Sequence, residues 1–133
     1  MDVSFIEIEI GNEYDRPQLA NIWGYETYHA ISRGIITPVD SNVIILFVTE
    51  EKQDNLPQYQ DFLEGDTLHM EGEKGHGNDH RLINAKKNGE VIHLFHRQRH
   101  HSPFIYYGKL RLHDYKLRAN RPSKFVFKLI NKQ

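Results

Sequence analysis

The chain has 133 residues, a net charge of −1 and no cysteine. A chain of that length is one domain and buries roughly two-thirds of the surface it exposes when unfolded, so it folds without a disulfide or structural metal; the missing thiols exclude disulfide frameworks and thiolate metal sites. Residues 1–4 lack the basic and apolar regions of a signal peptide, and no apolar run approaches the roughly 20 residues of a membrane span, so a cytoplasmic protein with no membrane partner is expected.

Residues 3–10 alternate, with Ile6, Ile8 and Ile10 on one side and Glu7 and Glu9 on the other, which predicts a half-buried strand ending at Gly11-Asn12. Asp15 at the N-cap, Pro17 in the first turn and Gln18 at the capping-box spacing predict a short helix, with Leu19, Ile22 and Trp23 on its apolar face and Gly24 as its stop. Residues 25–34 form a second short helix or a loop carrying Tyr25 and Tyr28. Residues 38–42 read as a turn, and the apolar, β-rich run 43–49 as a buried central strand. A charged loop over 50–56 and a helical turn over 57–63 precede a short strand at 67–71. Gly72 and the sequence Gly75-His76-Gly77-Asn78-Asp79 predict a mobile loop.

Asn88-Gly89 is the strongest turn signal, because both residues tolerate the positive φ of a two-residue type I′ hairpin. It predicts a hairpin that sets Arg81 against His96 and Ile83 against Leu94 on one face, and Asn84 against His93 and His80 against Arg97 on the other. In residues 104–113, Phe104, Tyr106, Gly108, Leu110 and Leu112 look inward, whereas Tyr107, Lys109, Arg111 and His113 look outward. A basic loop from Tyr115 to Pro122 leads to a last strand, 124–130, with Phe125, Phe127 and Leu129 inward. About seven strands, one or two short helices near the N-terminus and no βαβ alternation predict a mainly β (α+β) fold, a small curved barrel in one domain over residues 1–133.

Charge is segregated along the chain. Up to His80 the only bases are Arg16, Arg33, Lys52 and Lys74, whereas from Arg97 onward ten Lys and Arg residues face Asp114 alone. Such asymmetry points to a polyanion on one surface. If the last strand neighbours residues 104–113, then Lys109, Arg111, Lys124 and Lys128 share an outward face that tracks phosphates. Tyr14, Tyr25 and Tyr28, set among polar residues and glycines, are candidate walls on which a base stacks, a contact worth about 1–3 kcal/mol. A His/Asp metal site can be drawn on His76, Asp79, His80 and His93, but His93 and His96, three apart on a strand, point to opposite faces and do not chelate together. No nucleophile turn or phosphate-cradling glycine loop is present, so enzymatic function is disfavoured and no metal or cofactor is implied.

Several short motifs carry a resemblance: Tyr14-Asp15-Arg16, Thr49 with Lys52, Tyr59-Gln60-Asp61, the run from Leu68 to Glu71, Gly77 to Arg81, the run from His93 to Arg97, and the run from Phe104 to Gly108. Together they resemble the C-terminal domain of modification-dependent restriction proteins that fuse a phospholipase-D-type nuclease to a helicase, within the wider group of PUA-like and SRA-like barrels. The resemblance covers residues 14–108; where this chain has Met70-Glu71-Gly72, those proteins usually have Trp, Gln and Ser. It implies a non-catalytic reader of double-stranded DNA that flips a modified base, modified cytosine first, into a pocket and directs a nuclease or helicase in cis or in trans. Under that reading Glu71, Asp79 and Asn84 read the base edge, Tyr14, Tyr25 and Tyr28 stack on it, and Arg16, Arg81 and Arg97 hold nearby phosphates. A small metal-dependent nuclease and an RNA-binding PUA-like module are the alternatives.

Overall fold

A computed structural model describes residues 3–51 and 61–130. The strands are β1 (Glu13–Tyr14), β2 (Ile35–Ile36), β3 (Val43–Glu51), β4 (Phe62–Glu64), β5 (Thr67–Glu71), β6 (Val91–Arg99), β7 (Phe104–Lys116) and β8 (Lys124–Leu129). Two helices accompany them, α1 (Arg16–Trp23) and α2 (Asp79–Ile83), with a 3₁₀ turn at Tyr28–Ile31. The strands form one sheet in the order β2-β3-β6-β7-β8-β5-β4, with β1 on the start of β7, and it curls strongly without closing. The mainly β, curved fold is as the sequence predicts, with β3, β5, β7 and β8 at the expected places.

The sheet separates two apolar clusters. One face of β3 and β6, through Val43, Ile45, Phe47 and Phe95, packs against α1 and the N-terminal segment. The other face, through Ile44, Leu46, Val48 and Leu94, lies inside the curl against Leu68, Met70, Phe125 and Phe127, with Leu82 and Ala85 of the α2 region among them. A strand covered on both faces reads as continuous apolar sequence, which is why 43–49 lacks alternation.

Two bulges reorient β7. Leu94 pairs with Gly108 and Phe95 with Tyr106, leaving Tyr107 as the extra residue beside Gly108, whose φ is +95°. The residues expected to look inward are therefore buried against opposite clusters: Phe104 and Tyr106 against the first, Leu110 against the second. A second shift between Leu112 and Asp114 skips His113.

Three expectations are corrected. Residues 3–10 are irregular: Ile6 is 92% exposed while Val3 and Ile8 are buried. The segment is held instead as a cover, by Trp23 Nε1 donating to the Ser4 carbonyl (2.8 Å) and Gly11 N–H to the Tyr106 carbonyl (2.8 Å). The hairpin at Asn88-Gly89 is absent, because β3 lies parallel along one edge of β6 and β7 antiparallel along the other, leaving no edge for residues 80–87. Gly89, at φ +72°, instead terminates the α2 region, with its N–H on the Lys86 carbonyl and that of Glu90 on the Ala85 carbonyl, the paired bonds of a Schellman cap. The loop and helical turn expected over 50–63 fall mainly on residues 52–60, outside the described residues; Phe62–Glu64 is a strand, and β3 runs through Glu51.

Candidate nucleic-acid interface

α2 stands in the mouth of the curled sheet, and recesses open on both sides of it. A recess of about 410 Å³ is bounded by His76, Asp79, His80, Leu117, Arg118 and Ser123. A second, of about 560 Å³, is lined by Asn42, His80, Arg81, Asn84, Asn88 and Glu90. His80 is the wall they share.

Asp79 is the organising group of the first recess. It is only 4% exposed, and one carboxylate oxygen, Oδ2, accepts from Ser123 Oγ (2.8 Å) and lies 2.9 Å from His76 Nδ1. Its other oxygen, Oδ1, has no hydrogen-bond partner among the described residues and lies 2.9 Å from where a Cβ on Gly72 would stand. Glycine at 72 therefore keeps that oxygen clear, while the Gly72 N–H ties the strand to the Ser123 carbonyl (2.8 Å). His76 reaches Asp79 from a left-handed backbone, φ +59°, a region in which His is enriched among non-glycine residues.

Glu71 has a different place. Its carboxylate accepts from Arg118 Nη2 (2.7 Å), and Arg118 also donates through Nε to the Pro122 carbonyl (2.7 Å) and through its backbone N–H to Ser123 Oγ (3.1 Å). Glu71 thus fixes the loop over 117–122, which presents exposed Leu117 at the rim. Asn84 ends α2 and faces the second recess, away from Asp79.

The tyrosines are elsewhere. Tyr14 is buried, edge-on to Phe95, with its hydroxyl accepting from the Glu9 N–H (2.8 Å), so it is a core residue and not a wall of an open recess. Tyr25 is half-buried against the same cluster, and Tyr28 is 43% exposed beside His29. All three lie on the α1 side of the sheet. Among the described residues, the rings bordering this first recess are the imidazoles of His76 and His80.

The arginines divide similarly. Arg81 is bound to Glu90 (2.9 and 2.5 Å). Arg16 donates to the Ile31 carbonyl (2.9 Å) and Arg97 to Thr49 Oγ1 (2.7 Å) and the Ser102 carbonyl (3.1 Å), and both guanidinium groups lie over the Phe104 ring. Burial, and secondarily the Arg97 charge, pushes Arg16 down to about 10; burial lowers Arg97 as well. Among the described residues, these two cations are held by uncharged oxygens and aromatic faces.

β7 and β8 are neighbours: Arg111 stands opposite Lys128 and Lys116 opposite Lys124, with Asp114 opposite Val126 between them. Lys109, Arg111, Lys116 and Lys124 are exposed, whereas Lys128 is half-buried, with Nζ on Thr67 Oγ1 (2.8 Å) and 3.7 Å from Asp66.

His93 does not join His76, Asp79 and His80. It is buried under the N-terminal segment, stacked on Phe5 at 3.6 Å and bonded to Tyr106 Oη at 2.7 Å, and burial, then the Lys109 charge, drives its pKa down to about 4. Among the described residues no group of three or more His, Asp or Glu side chains is arranged to hold a metal ion. Sequence reasoning missed Ser123 and Arg118 as parts of the site. Nothing local ties a basic loop to a glycine loop some 45 positions earlier, and only the β5–β8 pairing brings them together.

No family model and no curated protein matches the chain. Among solved structures it is similar to the SUVH5 SRA domain in complex with fully methylated CG DNA, at 16% identity and a TM-score of 0.67, covering all of this chain and 96% of that one. The same domain bound to fully hydroxymethylated CG DNA matches at 15% identity, with the same TM-score and shares. The DNA modification-dependent restriction endonuclease AspBHI matches at 13% identity and a TM-score of 0.55, over 92% of this chain and 73% of that one. The fold is SRA-like. Among the described residues, no helix is long and apolar enough to cross a membrane.

Proposed function

We propose that this chain is a non-catalytic DNA-binding domain that recognises a modified base, modified cytosine first, by taking it out of the duplex into the recess beside Asp79. The single observation that carries the reading is a buried carboxylate, anchored by His76 and Ser123 through one oxygen, whose other oxygen has no partner among the described residues, beside an open recess in an SRA-like fold. A carboxylate accepts from the exocyclic amino group of cytosine and repels the carbonyl that thymine presents at the same position. Extruding the base costs a few kcal/mol, which a fixed acceptor and flanking imidazole planes help to offset. The similar SUVH5 structures hold methylated and hydroxymethylated DNA, which supports the same partner here.

In this reading Asp79 reads the base edge, Glu71 positions the 117–122 loop, and His76 and His80, rather than Tyr14, Tyr25 and Tyr28, take the stacking places. Lys109, Arg111, Lys116 and Lys124 track the phosphates, with Lys128 a weaker contributor, and Arg16 with Arg97 forms a separate cationic notch. Arg81, tied to Glu90, supports the second recess. The whole of 1–133 acts as one cytoplasmic domain that targets a nuclease or helicase activity carried elsewhere in the same protein or on a partner.

The deciding experiment is a binding series on otherwise identical duplexes carrying unmodified, methylated, hydroxymethylated or glucosylated cytosine, or methylated adenine. The reading expects a preference for at least one modified cytosine. Indifference to modification, or tighter binding to matched RNA at equal salt, would overturn it.

A further inference from the structure

We infer that the second recess, beyond His80, receives a bulky polar substituent on the flipped base, of the class of a sugar joined to a hydroxymethyl group. The inference rests on the base-reading function proposed above and narrows it from modified cytosine in general to a glycosylated one. The two recesses flank one helix and share one side chain, so a base seated beside Asp79 has the second recess within reach past His80.

Chemistry then sets the occupant. The second recess is lined by amides, a hydroxyl, an imidazole and one ion pair, with no Ala, Val, Leu, Ile, Met, Phe, Tyr or Trp among its lining residues. The side chains of His80, Asn84 and Asn88 make no hydrogen bond to any described residue; Asn84 is half-buried, and His80 and Asn88 are exposed to solvent at the edge of the recess. Around them the polar groups are already fixed: Ser41 Oγ donates to the Pro38 carbonyl (2.9 Å), Asn42 Nδ2 to the Gly89 carbonyl (3.4 Å), and Arg81 to Glu90. A polar frame thus borders three groups, without a partner among the described residues, that can both donate and accept. A polyol matches such a frame, because each hydroxyl also donates and accepts, and an amide offers both functions from one planar group. A methyl group would leave those donors and acceptors unused.

Discrimination follows the same way. A methyl buried in an apolar pocket yields only about a fourfold preference, whereas a site built to hydrogen-bond hydroxyls rejects an analogue lacking them by several orders of magnitude. The recess by volume is also within the range of small-ligand sites, and far beyond what one methyl occupies.

The test uses the whole chain and fluorescently labelled duplexes that are unmodified, methylated, hydroxymethylated or glucosyl-hydroxymethylated at one cytosine. The expected result is at least tenfold tighter binding of the glucosylated duplex than of the methylated one, with Asn88→Leu cutting that ratio toward one. A preference for methylated or hydroxymethylated over glucosylated DNA overturns this inference and leaves the base-reading function standing. Equal binding to all four overturns the base-reading function itself. A glucosyl preference that Asn88→Leu leaves intact overturns the placement of the sugar in this recess.

Discussion

Adding one methyl group at Gly72 tests the proposed base-reading oxygen without replacing Asp79. A Cβ there would stand 2.9 Å from Asp79 Oδ1 and 2.9 Å from Phe125 Cε2, inside the 3.4 Å at which ordinary contact begins. Neither neighbour retreats cheaply. Phe125 is 1% exposed, and Asp79 is held by His76 and Ser123. Forced repacking of this kind costs about 1–3 kcal/mol, while replacing glycine stiffens the unfolded chain and returns about 0.4–1 kcal/mol, so Gly72→Ala loses about 1 kcal/mol of stability. The effect on recognition is larger. A hydrogen bond to a charged acceptor contributes about 1.5–3 kcal/mol, so displacing Oδ1 weakens the modified duplex by roughly 10- to 150-fold while affinity for unmodified DNA, set by phosphates, changes little. Urea unfolding measures the first quantity and anisotropy titration with matched duplexes the second. Gly72→Ser carries the same Cβ and should behave alike. A variant as stable as the parent with undiminished discrimination would refute the placement of Oδ1 against the base.

Tyr14→Phe removes the acceptor of the Glu9 N–H and should cost about 1 kcal/mol in urea unfolding while leaving modification preference unchanged; a lost preference would restore Tyr14 to the pocket. Replacing both Lys109 and Arg111 by Ala should weaken all duplexes alike and reduce the slope of log K against log salt by about 2, and an unchanged slope would remove them from the phosphate path. His93, held neutral with a pKa of about 4, takes up a proton more readily in the unfolded chain, where its pKa is about 6.5. Its contribution is therefore complete above about pH 6.5 and falls by about 3 kcal/mol as the pH drops toward 4. Comparing urea unfolding of the parent and His93→Gln at pH 7 and 4.5 isolates it, and an equal fall in both would place the effect elsewhere.

What could be read from the sequence depended on the range of the interaction that decides each element. The α1 cap was legible because Asp15, Pro17, Gln18 and Gly24 act within a few residues of one another, and the structure has the full capping box. Thr67–Glu71 and Lys124–Leu129 were legible because each buries one face. The Asn88-Gly89 signal was real but ambiguous: positive φ at Gly89 serves a helix cap as well as a hairpin, and only the parallel β3–β6 pairing, set by residues 43–51, decides between them. The same held for the site. Asp79 and Asn84 do border recesses, but the tyrosines were placed by polar neighbours in sequence, whereas the sheet separates them from α2.

Under the proposed base-reading function, the same topology sets where a duplex would lie relative to the recess. Ser123, which anchors Asp79, is followed directly by Lys124, and Lys124 stands opposite Lys116, so the basic face begins at the rim of the recess. From Lys116 it runs back along β7 through Arg111 to Lys109. With His113 bulged out of the ladder, that is about 20 Å at roughly 3.4 Å per residue. One strand of DNA carries a phosphate every 3.4 Å along its axis, so the face spans about six steps, all on one side of the extruded base. The footprint should therefore be lopsided. Shortening a modified duplex from one end should cost affinity until about six base pairs are left beside the modified position, whereas shortening from the other end should be tolerated further. Equal sensitivity at both ends would show that the duplex does not follow β7, and the basic face would then have to act without the recess.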